Sequence, residues 1–127
     1  MLSKATLRII IAGSRRFDNY NFMRAKLRRV DIGNYDVTVI SGTAKGADRL
    51  GEQWAKNHKF NIERYPANWS MYGKTAGIIR NRQMAEHADM CVVFWDGESK
   101  GTLNMIQTAR DVGIPVYVFI YPKEVEE

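Results

Sequence analysis

The chain has 127 residues, of which 45% are hydrophobic, so it is long enough for one globular core and too short for two comfortable ones. A membrane-spanning helix is excluded, because no segment approaches the roughly 20 consecutive apolar residues that it needs. The net charge is +5, and the acidic end KEVEE (123–127) lowers it from +7 over residues 1–122. This positive charge suits a polyanionic partner, and it suits an ordinary soluble surface equally well.

The N-terminal segment predicts a buried strand followed by a basic helix. LRIIIA (7–12) is a nearly continuous apolar run, which is typical of strands buried on both faces, and GSRRFD (13–18) follows it. YNFMRAKLRRV (20–30) places four apolar side chains on one stripe and basic residues on the opposite face. The first apolar run lacks the length and the cleavage site of a signal peptide, so we expect a cytoplasmic protein.

The next segment contains a second buried strand and the clearest helix pattern. VTVI (37–40) is the strand, and from Ala47 to His58 apolar and small residues recur at helical spacing. The stretch SGTAKGAD (41–48) connects them. Taken alone, Gly42 and Gly46 favour a tight turn and a close helix–strand contact over a phosphate-binding loop.

The middle of the chain predicts an edge strand, a loop and a helix. NIERY (61–65) alternates apolar and polar residues, as a half-exposed edge strand does. PANWSMYGKTAG (66–77) is predicted to be one long irregular loop, and long ordered loops are often functional. Residues 78–88 predict a third helix with a weaker apolar pattern.

The C-terminal third predicts a strand, a helix and a last strand. MCVVFW (90–95) and VYVFIY (116–121) are again continuous apolar runs that suit strands buried on both faces. The helix between them ends at Gly113 and Pro115. Cys91, the only cysteine of the chain, is predicted to be a buried thiol in a reducing compartment rather than part of a disulfide.

Together these elements predict one doubly wound α/β domain. Because right-handed crossovers leave few alternatives, we expect a Rossmann-like three-layer fold with helices on both faces of a mostly parallel five-stranded sheet in the order 3-2-1-4-5. The domain is predicted to occupy residues 1–122, with an acidic tail at 123–127.

Four loops should meet at one edge of this sheet, because ligands of open α/β sheets bind outside the carboxyl ends of the strands. They are GSRRFD, SGTAKGAD, WDGESKGT (95–102) and the GIIRNRQ segment (77–83). Each supplies glycines, hydroxyls or guanidinium groups, and helix N-termini attract anions. The P-loop and dinucleotide-binding fingerprints are both absent, but the four loops together predict a site for a phosphate-bearing ligand.

Four longer stretches carry a resemblance to a known family: IIIAGSRRF, VISGTAKGAD, YPANWSMYGKTAGIIRNRQM and VVFWDGESKGTLNMI. In order and spacing they resemble the YspA-like branch of the SLOG superfamily, which also contains the LOG phosphoribohydrolases and the DNA-processing protein DprA/Smf. The resemblance spans about residues 7 to 120. It implies a Rossmann-like domain that binds a nucleotide or nucleotide-derived molecule, such as an ADP-ribose or NAD-related ligand, as a sensor or sequestering protein.

The expected ligand contacts lie in the four loops. Arg82, placed at the start of the third helix, is expected to pair with a phosphate, and Asp48 or Asp96 to accept hydrogen bonds from ribose hydroxyls. Stacking on a base is expected of Trp69, Tyr72 or Trp95, although packing explains these aromatics equally well. The expected ligand-binding residues are Gly13, Ser14, Arg15, Ser41, Gly42, Thr43, Gly46, Asp48, Arg80, Asn81, Arg82, Asp96, Gly97, Ser99, Gly101 and Thr102.

Two other functions stay open as alternatives. The resemblance to LOG proteins implies cleavage of an N-glycosidic bond, but Met105 stands where their G-T-x-x-E motif has its glutamate, and Gln83 stands where they have a lysine. A thioether cannot transfer a proton, so we favour binding over catalysis and assign no catalytic residue. The resemblance to DprA and the basic charge imply single-stranded DNA binding, which uses a positive groove with stacking aromatics.

The sequence predicts no structural metal site and leaves the oligomeric state open. His58 and His87 have no cysteine or carboxylate at metal-ligand spacing, so no structural metal is predicted. Mg²⁺ that accompanies the phosphates of a ligand is compatible with the sequence. Self-association is common among SLOG relatives, so the resemblance leaves a homo-oligomer open as a form of this protein.

Overall fold

The computed structural model describes residues 5–121, and one parallel sheet forms its centre. The sheet has the order β3-β2-β1-β4-β5, and each neighbouring pair of strands is parallel. The predicted α/β fold and strand order are confirmed. The predicted acidic tail lies outside the described residues. The strands are β1 (Thr6–Gly13), β2 (Asp36–Ser41), β3 (Asn61–Arg64), β4 (Met90–Trp95) and β5 (Val116–Ile120).

Helices cover both faces of the sheet. Because successive side chains of a strand point to opposite faces, Ile9 and Ile11 of β1 pack in one hydrophobic cluster and Ile10 in another. The first cluster includes α1 and α2, and the second includes α4 and α5. No helix within residues 5–121 has both the length and the apolar character to cross a bilayer. The helices are α1 (Tyr20–Leu27), α2 (Ala47–Asn57), α3 (Trp69–Tyr72), α4 (Ala76–Glu86) and α5 (Lys100–Val112), and a 3₁₀ turn (Gly73–Thr75) joins α3 to α4.

The segment 66–77 is more regular than predicted. It contains the short helix α3, the 3₁₀ turn and the first residues of α4 instead of one irregular loop. The side chain of Asn68 caps α3 by accepting a hydrogen bond from the N–H of Met71 (3.1 Å). The sequence pattern could not indicate this helix, because α3 buries none of its residues and therefore has no apolar periodicity.

The strand β5 is also less buried than predicted. It pairs with β4 alone and forms an edge of the sheet, and the side chain of Ile120 is 64% exposed. A continuous apolar run predicts a strand, but the number of neighbouring strands depends on topology. The expectation of burial on both faces is therefore wrong for β5.

Candidate ligand-binding site

A cavity of about 510 Å³ opens beyond the carboxyl ends of β1 and β4. Its walls come from the loops after β1, β2 and β4, from α4 and from the first turn of α5, so all four predicted loops contribute to it. The volume lies within the range of small-molecule sites. Of the residues predicted from the sequence, its lining includes Gly13, Ser14, Arg15, Gly42, Asp48, Trp69, Arg80, Asn81, Asp96, Ser99, Gly101 and Thr102.

The charge of this main cavity favours an anion. Five basic side chains line it, against the two carboxylates of Asp48 and Asp96. The first turns of α2 and α5 also contribute lining residues, and the N-terminus of a helix carries partial positive charge. The basic residues are Arg15, Arg16, Lys74, Arg80 and Lys100.

A series of hydrogen-bonded side chains supports the loop SGTAKGAD. The hydroxyl of buried Ser41 accepts a hydrogen bond from the N–H of Thr43 (3.1 Å) and donates one to Glu52 (2.6 Å). Glu52 forms an ion pair with Arg64 (2.8 Å). Burial alone raises the pKa of Glu52, but the hydrogen bonds from Arg64 and Ser41 outweigh it and hold the pKa below its ordinary value. Ser41 thus supports the loop and does not line the main cavity.

Gly46 brings the β1–α1 loop against the start of α2. Its φ is +79°, and a Cβ there would lie 2.4 Å from the carbonyl oxygen of Ser14 and 2.5 Å from that of Arg15. The N–H of Ala47 donates to the same Ser14 oxygen (3.3 Å). Only glycine accepts both the left-handed conformation and the contact. Gly46 therefore makes the close contact that its position suggested, outside the lining of the main cavity.

Asp48 and Arg80 meet across Gly42 in the wall of the cavity. A Cβ on Gly42 would lie 2.7 Å from Nη1 of Arg80 and 2.8 Å from Oδ2 of Asp48. Asp48 is 5% exposed and accepts a hydrogen bond from the N–H of Ala44 (3.0 Å). Burial raises the pKa of Asp48 to about 6, although Ala44 and Arg80 both oppose the rise.

Arg80 keeps donors available for a ligand. Its Nη1 donates to the carbonyl oxygen of Gly42 (2.5 Å), and its Nε donates to Oδ1 of Asn81 (3.0 Å). A guanidinium has five N–H donors, so these bonds leave three. Desolvation lowers the pKa of Arg80 while the charge of Asp48 raises it. Two hydrogen bonds thus hold the guanidinium in place in the cavity wall.

The start of α5 is built by side chains of the β4–α5 loop. Asp96 accepts hydrogen bonds from the N–H groups of Glu98 (2.9 Å) and Ser99 (2.8 Å), and its own N–H donates to the hydroxyl of Ser14 (3.2 Å). Desolvation opposes ionisation, but these donors hold the pKa of Asp96 below its ordinary value. The hydroxyl oxygens of Ser99 and Thr102 lie 3.1 Å apart. These contacts place the first turn of α5 in the cavity wall.

The structure places Arg82 away from the cavity, in contrast to the sequence prediction. Because α4 begins at Ala76, Arg82 lies in the middle of the helix and not at its start. Its exposed side chain pairs with Glu86 one turn later (2.8 Å). Positions 80 and 82 are about 200° apart around a helix, so Arg80 lines the cavity and Arg82 does not. Of the two arginines of α4, only Arg80 therefore lines the cavity.

Four more of the predicted residues lie outside the main cavity. Trp95 donates from Nε1 to the carbonyl oxygen of Ser99 (3.1 Å) and packs against the cluster under α4 and α5. Tyr72 lies exposed on α3, and Gly97 lies in the β4–α5 turn. Thr43 lines a second cavity beside the main one. Of the three aromatics predicted to stack on a base, only Trp69 lines the main cavity, at 51% exposure.

Sequence reasoning missed several lining residues. Lys74 lies in the 3₁₀ turn of the segment expected to be irregular, and Asn104 lies one turn beyond Gly101 on α5. The i, i+3 spacing of Gly101 and Asn104 was a usable signal. Met105, which is 2% exposed, forms apolar wall where LOG proteins have a glutamate. Among the side chains of residues 5–121, no three of the types His, Cys, Asp and Glu cluster as metal ligands would.

Comparisons with known proteins add the family to this geometry. The chain is 35% identical over 119 residues to Gene 61 protein of Mycobacterium phage D29, which covers 88% of this chain and 95% of that protein. A solved C-terminal domain of a hydrogenase from Pyrococcus furiosus is 16% identical with a TM-score of 0.47, over 94% of this chain and 96% of that one. Residues 7–72 match the family described as YAcAr: YspA, cpYpsA-related SLOG. The chain therefore belongs to the YspA, cpYpsA-related SLOG family, as its motifs predicted.

Proposed function

We propose that the protein binds a nucleotide or a nucleotide-derived small molecule in the main cavity, as a sensor or sequestering protein. The observation that carries the proposal is the convergence of Arg15 and Arg80 with the first turns of α2 and α5 on one cavity. Guanidinium groups and helix N-termini both prefer phosphate. Membership of the SLOG family supports the nucleotide character of the ligand. ADP-ribose and NAD-related molecules are the first ligands to test.

In this proposal each wall has a separate role. The free donors of Arg80 and the side chain of Arg15 hold the phosphate, and Thr102 with the first turn of α5 supplies further donors. Asp48 accepts hydrogen bonds from a ribose hydroxyl, since its carboxylate lies in the cavity wall beside Arg80. Trp69, half exposed at the cavity, offers a face on which a base can stack.

The cavity favours holding the ligand over cleaving it. The position that would carry the LOG glutamate is Met105, whose thioether neither donates nor accepts a proton. The carboxylates of Asp48 and Asp96 already accept hydrogen bonds from backbone N–H groups of their own loops. We therefore propose a binding protein rather than an N-glycosidic hydrolase.

Arg80 and Arg82 provide a matched test within one helix. Titration calorimetry with ADP-ribose, NAD, AMP and a cyclic nucleotide identifies a ligand, which at 100 times its Kd should stabilise the protein by about 2.7 kcal/mol. We expect Arg80→Met to weaken binding at least tenfold, because a charge-assisted contact is lost. Arg82→Met should leave the affinity within twofold, since Arg82 faces away from the cavity. Equal effects of the two substitutions would contradict the proposed site.

Two further measurements complete this test. Arg80→Met leaves Asp48 without its neighbouring cation, so a folding defect must be separated from a binding defect. Arg15→Ala separates the two, because Arg15 lines the cavity but is exposed. This variant should bind the ligand more weakly without a folding defect. If no small ligand binds and single-stranded DNA binds with salt-sensitive affinity, the protein is a strand-binding protein and the proposal is wrong.

A further inference from the structure

A second cavity of about 370 Å³ adjoins the main one. Arg15, Trp69 and Arg80 line both cavities, together with the backbone around Gly42, so the two spaces share a wall. The remaining wall of the second cavity includes Lys45 and Arg49. A ligand that fills the main cavity therefore has room to extend beyond it in one defined direction.

The second cavity is basic without any compensating acid. Arg15, Lys45, Arg49 and Arg80 line it, and its lining contains no carboxylate. Lys45 and Arg49 take part in none of the ion pairs formed within residues 5–121. A base or a sugar requires no cation, whereas a phosphate is the group that four convergent cations favour. The second cavity is thus suited to an anionic group of its own.

Backbone strain occurs at the same place. Thr43, which lines the second cavity, has a φ of +65°, a conformation that β-branched residues rarely adopt. It is maintained by the hydrogen bond from its N–H to Ser41, which Glu52 and Arg64 hold in turn. Such conformations cluster where ligands bind. The strained backbone of Thr43 therefore coincides with the basic wall of the second cavity.

We propose that the ligand occupies both cavities and carries two phosphate groups separated by a sugar. One phosphate lies at the shared wall, against Arg15 and Arg80, and the second lies against Lys45 and Arg49. This inference rests on the proposed function and narrows its ligand class. The class comprises nucleoside bisphosphates and dinucleotides that bear an additional phosphate on a ribose.

Two pairs of probe molecules test the second phosphate. AMP and adenosine 3′,5′-bisphosphate differ by one phosphate on the 3′-oxygen of the ribose, and NAD and NADP differ by one phosphate on the 2′-oxygen of the adenosine ribose. Calorimetry at constant ionic strength should give about tenfold tighter binding for the bisphosphorylated member of at least one pair, because two cations gain a charged partner. The double substitution Lys45→Ala/Arg49→Ala should abolish this difference and leave the affinity for the other member unchanged.

A control separates local contacts from general electrostatics. Arg29→Ala/Arg110→Ala removes the same charge from exposed positions outside both cavities and should preserve the tenfold difference. Equal affinities within each pair overturn the second phosphate site but leave the proposed function intact. An equal loss of affinity for both members of a pair in the Lys45→Ala/Arg49→Ala variant also overturns the second phosphate site. Absence of binding by all four probes and by ADP-ribose contradicts the proposed function itself.

Discussion

At the scale of single residues, Asp48 is an acid whose chemistry departs strongly from that of an exposed side chain. Its carboxylate is buried beside Arg80, and the neighbouring cation does not fully offset the loss of solvent. Ionisation of Asp48 near neutral pH therefore costs stability. A strongly perturbed acid in a cavity marks a candidate functional residue, and this supports the contact with a ribose hydroxyl that we propose for Asp48.

We expect the substitution Asp48→Asn to raise the stability of the protein by an amount that depends on pH. The pKa is about 6 in the folded protein against 3.8 for an ordinary Asp, so the folded state holds the proton more tightly and its stability falls as the pH rises from 4 to 6. Asparagine keeps an acceptor for Ala44 but cannot ionise. We expect the variant to gain up to about 3 kcal/mol at pH 7.5, the equivalent of two pKa units, and nothing at pH 4.

Thermal denaturation across this pH range measures the effect. Asp36→Asn, at an exposed carboxylate on β2, serves as the control and should change the stability by less than about 0.5 kcal/mol. A lower Tm for Asp48→Asn at pH 7.5 would show that the attraction of Arg80 outweighs burial. The gain in stability should come with weaker ligand binding, since Asp48 lines the cavity.

At the scale of the elements, the contact between α2 and β1 positions the loops that follow β1 and β2, and both loops line the main cavity. Gly51 faces the sheet, and a Cβ there would lie 2.7 Å from Cγ2 and 2.8 Å from Cβ of Ile11. The second of these atoms is fixed to the backbone of β1 and has little freedom to move. The helix therefore approaches the strand closely only because residue 51 is glycine.

We expect Gly51→Ala and Gly101→Ala to have opposite effects on stability. Gly51→Ala should lower the free energy of unfolding by about 1–2 kcal/mol, because overpacking exceeds the gain in helix propensity. Gly101→Ala should be neutral or gain about 0.5 kcal/mol, since no heavy atom lies within 4 Å of a Cβ at Gly101 in α5. Urea denaturation without ligand measures both. Equal stability of Gly51→Ala and the parent protein would contradict the close contact.

At the scale of the whole molecule, the centre of the sheet is closed to solvent. Cys91 lies in β4 between β1 and β5 and is fully buried. Burial raises the pKa of its thiol to about 12, and only the thiolate reacts readily. The single cysteine of the chain is thus protected as long as the fold is intact.

Cys91 therefore reports the stability of the whole domain. We expect iodoacetamide at pH 8 to label the native protein only through unfolding, while the urea-denatured protein reacts at once. A ligand at 100 times its Kd should slow labelling about a hundredfold, because it lowers the unfolded population by that factor. Binding without any slowing would mean that β4 opens locally while the cavity stays formed.

The sequence alone determined the strands, their order and the edge of the sheet at which the loops meet, because apolar runs and right-handed crossovers are local or topological rules. The four loop motifs also predicted the family. Met105 distinguishes the chain from the LOG enzymes, which have a glutamate at this position. The sequence did not predict helix α3, because an element without a buried face has no apolar periodicity.

Only the tertiary structure decided which side chains face the cavity. Arg80 and Arg82 both lie in the segment GIIRNRQ, but α4 begins two residues earlier than predicted, and only Arg80 lines the cavity. Likewise, Ser41 and Gly46 belong to the same motif as Gly42, yet they support the loop instead of lining the main cavity. The physical reason is that the direction of a side chain depends on the phase of its element and on contacts between residues distant in the chain. A motif defines neither of these.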